Sequence, residues 1–155
     1  MVGLGKMGLS HLAMFRPHPD VELVAVCDTV GYVLDTLEKY TGVKTYTDYN
    51  KLLEQEQLDA VVIATPPATH YEIARDCMEH GLHVLVEKPI TLNSDDAAKL
   101  IKVAEENNVV LMVGHTFEYN SAVRAVKEMI LSGELGDIYY IDAIRASLGL
   151  FQTKA

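Results

Sequence analysis

Gly3-Leu4-Gly5-Lys6-Met7-Gly8 fits the pattern G-x-G-x-x-G. In such a loop the glycines serve a tight turn, a close approach of backbone to pyrophosphate, and close packing of helix on strand. A helix from about Lys6 to Phe15 would aim its unbonded N–H groups and positive dipole end at that anion. Three glycines alone also describe an ordinary turn, so the order of the elements around them decides. The apolar stretch Val21–Cys27 follows and ends at Asp28, twenty residues after Gly8. A carboxylate at that spacing can accept both hydroxyls of an adenosine ribose. It also repels a 2′-phosphate, and no Lys or Arg stands between Asp28 and Lys39 to welcome one. NAD is therefore favoured over NADP. The plainer reading of Asp28 is a solvated turn acid or a helix cap.

Working outward, short β-branched runs alternate with longer helical patterns, the mark of a parallel sheet with helices on both faces. The strands read as Val21–Cys27, Lys44–Tyr46, Ala60–Ala64, His83–Val86 and Val109–Val113. Burial on both faces accounts for their continuous apolar character. A helix over about Thr69–His80 opens with Thr69 and Glu72 as a capping box and closes at Gly81, which suits a left-handed cap. Another opens at Asn93 or Ser94, with Asp95 and Asp96 in its first turn and Ala97, Leu100, Ile101 and Ala104 at helical spacing. A third runs from about Asn120 to Leu131, and Asp137–Ala146 then reads as a strand. The fold class is α/β, a doubly wound parallel sheet of the Rossmann type.

The chain has 155 residues, 49% hydrophobic and 23% charged, which is ordinary globular composition. Its 13 Lys and Arg face 22 Asp and Glu, a formal charge of −9 that makes nucleic acid and anionic membranes poor partners. Cys27 and Cys77 each sit in an apolar stretch, which suits buried, reduced thiols in the cytoplasm. No run approaches a membrane span, and no charged-then-apolar leader stands at the start. His80 and His83 straddle a helix end and a strand start, so no metal site is expected.

Four pieces in order resemble the Gfo/Idh/MocA family of nicotinamide-dependent oxidoreductases: Gly3 to Gly8, Asp28 after its strand, Ala64-Thr65-Pro66-Pro67-Ala68-Thr69-His70, and Glu87-Lys88-Pro89 after another strand. A lysine between an acid and a proline at the C-terminal end of a strand is hard to explain as packing. The segment Val113-Gly114-His115-Thr116-Phe117-Glu118-Tyr119-Asn120 is similar to members acting on nucleotide-linked sugars. The resemblance implies NAD as cofactor, a sugar, nucleotide sugar or cyclitol as substrate, and a homo-oligomer. It gives Lys88 the catalytic part, and places Gly3, Gly5, Lys6, Met7, Gly8, Asp28, Thr65, Pro66, His70, Glu87 and Lys88 against the cofactor.

Each residue has its own chemistry beside that resemblance. Thr65-Pro66-Pro67 fixes φ twice and removes two donors, making a stiff lip or simply a rigid connector. His70 could touch cofactor, or stand exposed in a first helical turn. Lys88 leaves its strand at the edge where open α/β sheets bind ligands, and could hold a hydroxyl and move its proton. The plainer reading is a surface lysine paired with Glu87. Pro89 after Lys88 suits a cis peptide in a tight turn. His115, Tyr119 and Asn120 are substrate candidates below Lys88, Asn120 also reading as a helix N-cap.

The expected division is a dinucleotide domain over 1–118, its first strand nearly missing, and the start of a substrate and oligomerisation domain over 119–155. Both ends read as abrupt, so the chain is expected to be part of a longer enzyme. Three rivals stand beside an oxidoreductase: an NAD-binding sensor without chemistry, a non-catalytic fragment with exposed sheet edges, and a methyltransferase or flavin protein, which leaves Glu87-Lys88-Pro89 unexplained.

Overall fold

A computed structural model describes residues 1–144 and residue 146. Two compact units divide at 115/116: Met1–His115, and a second from Thr116 onward. The first is built on parallel strands β1 (Ala25–Cys27), β2 (Lys44–Tyr46), β3 (Ala60–Ile63), β4 (His83–Val86) and β5 (Leu111–Val113). β1 pairs with β2, while β4 lies between β3 and β5.

Val2 joins the two sets by bridging Cys27 on one side and Ile63 on the other, both in parallel. Its amide donates to Val62 O and its carbonyl accepts from Ala64 N, each at 2.8 Å. Gly3 N bonds Cys27 O, and Cys27 N bonds Met1 O, also at 2.8 Å. One central residue thus makes the sheet continuous in the order β2, β1, Val2, β3, β4, β5, the doubly wound pattern read from the sequence.

Side-chain alternation splits the core in two. Ala25, Cys27, Val61, Ile63, Val84 and Val86 face α3 (Tyr49–Gln55), α4 (His70–Glu79) and α5 (Ser94–Glu106), and pack with Leu52, Ile73, Met78 and Leu100. On the opposite face Val26 packs with Leu12 of α1 (Lys6–Phe15) and Leu34 of α2 (Gly31–Thr41), with Val62 against them. Asn93 accepts from Asp96 N and so starts α5, as its position suggested. Gly81 closes α4 in the left-handed region at φ +78°.

Several expectations are corrected. The first strand keeps only Ala25–Cys27 of the seven residues assigned, because its partner β2 is three residues long and Val21 N turns back on His18 O. Helices α2 and α3 fill stretches the sequence reading left unassigned. Burial on both faces holds for β1, whereas β2 and β5 have no fully buried residue.

The second unit opens with a 3₁₀ turn (Thr116–Tyr119) and continues as α6 (Ser121–Leu131). The strand expected at 137–146 is not formed over 137–144, where no strand pairing occurs among the described residues; Arg145, within that range, lies outside the described residues, as does Ser147–Ala155. Among the described residues no helix is long and apolar enough to cross a membrane.

Candidate functional site

Steric room around the glycine loop sorts its three glycines. Gly3 adopts φ +92°, and a Cβ there would sit 2.6 Å from the Ala64 carbonyl carbon. A Cβ on Gly8 would lie 2.0 Å from Gly3 O, which is how closely α1 packs onto the turn. Gly5 is different: nothing lies within 4 Å of its would-be Cβ. Two glycines are therefore demanded by the protein itself, and the middle one leaves an open approach. The first α-helical bond of α1 runs from Leu9 N to Gly5 O at 2.9 Å, so the amides of Lys6, Met7 and Gly8 precede it without intrahelical partners. Lys6 and Met7 are exposed beside that approach. The arrangement fits a pyrophosphate.

Asp28, just past β1, ties into the same loop. Its Oδ2 accepts the Leu4 amide at 2.6 Å and its Oδ1 accepts Val30 N at 2.8 Å. The second bond is an Asx turn leading into α2, whose N-cap is Val30. Each carboxylate oxygen retains a further lone pair for a hydroxyl donor. The residues present thus fit a dinucleotide without a 2′-phosphate: open glycine, free helix amides, and an anchored acid.

The Thr65-Pro66-Pro67 corner follows β3 and enters a 3₁₀ turn at Pro67–Thr69. Pro66 is exposed and Thr65 half-buried. No capping box forms: Thr69 donates its hydroxyl to Pro66 O at 2.9 Å and lies 2.8 Å from Thr65 Oγ1. The extra 3₁₀ turn claims the hydroxyl before α4 begins. His70 is likewise a correction, for it is fully buried rather than exposed. Its Nδ1 lies 2.8 Å from Pro89 O and its Nε2 2.8 Å from Thr65 O, so it clamps the corner to the lysine turn.

At the end of β4, Glu87 turns inward. It is 7% exposed, with Oε1 2.8 Å from His11 Nε2 and Oε2 accepting the Lys88 amide at 3.1 Å. The sequence reading sets Glu87 against the cofactor; within the protein its carboxylate meets His11 and the Lys88 amide. Lys88 is exposed, and none of the ion pairs among the described residues involves it, so it does not pair with Glu87. The Lys88–Pro89 peptide is cis. The sequence reading missed His11; its signal was a polar ring three residues after Gly8, one turn along α1 on the inward side.

Sheet register brings these pieces to one edge. Ile63, Val86 and Val113 are aligned neighbours, and Val2 bridges Cys27 and Ile63. The residues that follow, Gly3, Asp28, Thr65, Lys88 and His115, therefore emerge at the same end of the sheet. Asp28 and Lys88 stand three strand positions apart, about 14 Å at a spacing of about 4.8 Å. His115 is exposed after β5, its amide on Val113 O at 2.7 Å. Tyr119 and Asn120 belong to the second unit. Arg124 lies over the Tyr119 ring at 5.4 Å, and Asn120 Oδ1 caps α6 by accepting from Ala122 N and Val123 N. Cys27 and Cys77 are free and buried; burial pushes their thiols up to about 11 and about 12.

Comparison with known proteins agrees with this geometry. The rhizopine catabolism protein MocA of Rhizobium meliloti is 31% identical over 145 residues, covering 94% of this chain and 45% of that protein. The crystal structure of the WlbA dehydrogenase from Bordetella pertussis, in complex with NADH and UDP-GlcNAcA, superposes with a TM-score of 0.84 at 33% identity, covering 89% of this chain and 40% of the other. Scyllo-inositol dehydrogenase from Lactobacillus casei, with bound NAD(H) and scyllo-inositol, gives a TM-score of 0.81 at 27% identity, covering 88% and 41%. The chain thus spans less than half the length of these relatives. The family model described as an oxidoreductase family with an NAD-binding Rossmann fold matches residues 1–115, and the chain belongs to that family, Gfo/Idh/MocA.

Proposed function

We propose that this chain is the dinucleotide-binding part of an NAD-dependent dehydrogenase that oxidises a secondary alcohol of a sugar, nucleotide sugar or cyclitol. One observation carries the reading: a lysine whose amine has no ion pair among the described residues stands on the same sheet edge as an open glycine cradle and an anchored acid. The α1 amides hold the pyrophosphate, and Asp28 accepts ribose hydroxyls through its spare lone pairs. That order along the edge brings the nicotinamide towards Lys88, and the nicotinamide supplies the hydride acceptor when bound. Lys88, whose amine is paired with no carboxylate among the described residues, holds the substrate hydroxyl and manages its proton. His115, Tyr119 and Asn120 are candidates for orienting the sugar. The relatives' bound UDP-GlcNAcA and scyllo-inositol support the substrate class. A homo-oligomer in the cytoplasm, with neither nucleic acid nor membrane as partner, belongs to the same reading. So does a division near residue 118 between cofactor and substrate parts.

Calorimetric titration with NAD and NADP tests the cofactor half. The chain binds NAD in preference to NADP, and Lys88→Ala keeps NAD affinity within a few-fold. In the full-length enzyme Lys88→Ala abolishes alcohol-dependent NADH formation. An NAD-binding module without chemistry is the second reading, since the glycine cradle and Asp28 need no amine; it wins if the full-length parent binds NAD but forms no NADH with such alcohols.

A further inference from the structure

Buried between α1 and the end of β4 is a hydrogen-bonded pair that the proposed chemistry leaves unused. His11 and Glu87, 76 positions apart, meet at 2.8 Å with side chains 11% and 9% exposed. The ring stacks on Phe15, centroids 5.9 Å apart, and its Nδ1 is buried with no hydrogen-bond partner. Apolar residues at both positions would fill this space without stranding a polar atom, and a buried polar pair is often no more stabilising than such a double replacement. The feature such a replacement lacks is direction. Glu87 passes that direction on, because its other oxygen accepts the amide of Lys88. The carboxylate lies against Gly114, where a Cβ would begin 3.2 Å from Oε1, so its place depends on that position having no side chain. On the far side of Lys88, the Pro89 carbonyl is held by His70 from α4.

Resting on the dehydrogenase reading above, we infer that His11 is a positioning residue for Lys88: through Glu87 it fixes the lysine turn to the helix whose first amides face the phosphates. The loop that holds one end of the cofactor and the turn that presents the amine to the other end then move as one body. This is a role in placement, since His11 itself is turned away from the open edge onto Glu87.

The test compares the intact chain with His11→Leu and His11→Gln, Gln carrying a nitrogen the same number of bonds from Cβ as His Nε2. Amide hydrogen exchange of Lys88 is followed by NMR before any cofactor is added, then NAD affinity is measured by calorimetry. In His11→Leu the Lys88 amide exchanges about tenfold faster, as loss of a hydrogen bond to a charged group implies, while Val26 and Val84 keep their protection. NAD affinity falls by a similar factor. His11→Gln restores both to within about threefold. Unchanged Lys88 exchange in His11→Leu overturns the proposal, as does equal loss of protection throughout the fold in both variants, which marks a mere staple. Should His11→Leu fail to fold, His11→Phe, which fills the ring's place against Phe15, carries the comparison. If the parent chain shows no heat with NAD but Lys88 exchange responds as stated, the positioning role stands and the cofactor reading falls.

Discussion

The carboxylate of Asp28 accepts the amide of Leu4 at 2.6 Å, which makes the acid at the end of β1 and the glycine loop a single hydrogen-bonded unit. Asp28→Ala strips that acceptor from Leu4 N and the second one from Val30 N. Its NAD affinity falls at least tenfold, and stability drops by about 1–3 kcal/mol from the lost acceptors. Asp28→Ser, which removes the negative charge but keeps a hydroxyl, narrows the preference for NAD over NADP. Urea unfolding and paired titrations with the two cofactors measure both effects.

Alanine at Gly5 and at Gly8 should have opposite consequences. Gly5 has φ −63° and open space around its would-be Cβ, so Gly5→Ala folds with stability within about 1 kcal/mol of the parent. The added methyl occupies the phosphate approach, and NAD affinity falls at least tenfold. Gly8→Ala instead drives a methyl to 2.0 Å from Gly3 O, and it loses several kcal/mol or does not fold, a magnitude of about 3 kcal/mol or more being usual for forced overlap. Melting curves beside titrations separate a ligand-facing glycine from a packing one.

Removing His70 empties a fully buried site and takes away the ring that lies between two carbonyls. Its nitrogens stand 2.8 Å from Thr65 O and Pro89 O, and His70→Ala is expected to cost about 3–5 kcal/mol, cavity and lost hydrogen bonding together. His80→Ala is the control: that ring is exposed and bonds only Asp76 O of its own helix, so the change stays within about 0.5 kcal/mol. Denaturant midpoints at equal slope decide it.

Both thiols should resist labelling while the chain is folded. Burial pushes Cys77 up to about 12 and Cys27 up to about 11, so at pH 8 almost no thiolate exists at either. The reactive fraction grows only as pH rises towards those values. Ellman's reagent should titrate neither cysteine in native buffer at pH 8 and both in guanidinium chloride.

Much of the fold could be read from local pattern. Strands β3 and β4 and helices α4, α5 and α6 fall close to their expected bounds, since each has a strong apolar run or a cap such as Asn93 or Asn120. Helix α2 carries a short stripe, Val33, Leu34 and Leu37, but it escaped notice because only Leu34 is fully buried and the large Tyr32 and Tyr40 are exposed beside it. Helix α3 is seven residues long, although Asp48 at its N-cap was a usable sign. Within the site, Gly3 to Gly8 and Asp28 were visible as spacing. His11 and the inward turn of Glu87 were not, because a buried polar pair is decided by partners far apart in sequence. His70 misled for the same reason: a histidine after a cap suggests solvent, and only the fold shows two carbonyls waiting.

Gly114 is where β5 leaves the sheet, with the Glu87 carboxylate 3.2 Å from where a methyl would project. An alanine there would touch neither cofactor nor substrate. It would shoulder the acid sideways, and the disturbance would travel along the main chain to the neighbouring amine. A variant at this spot should therefore mimic damage to the lysine while leaving the lysine in place, and a mutational survey that reads only solvent-facing positions would pass over it.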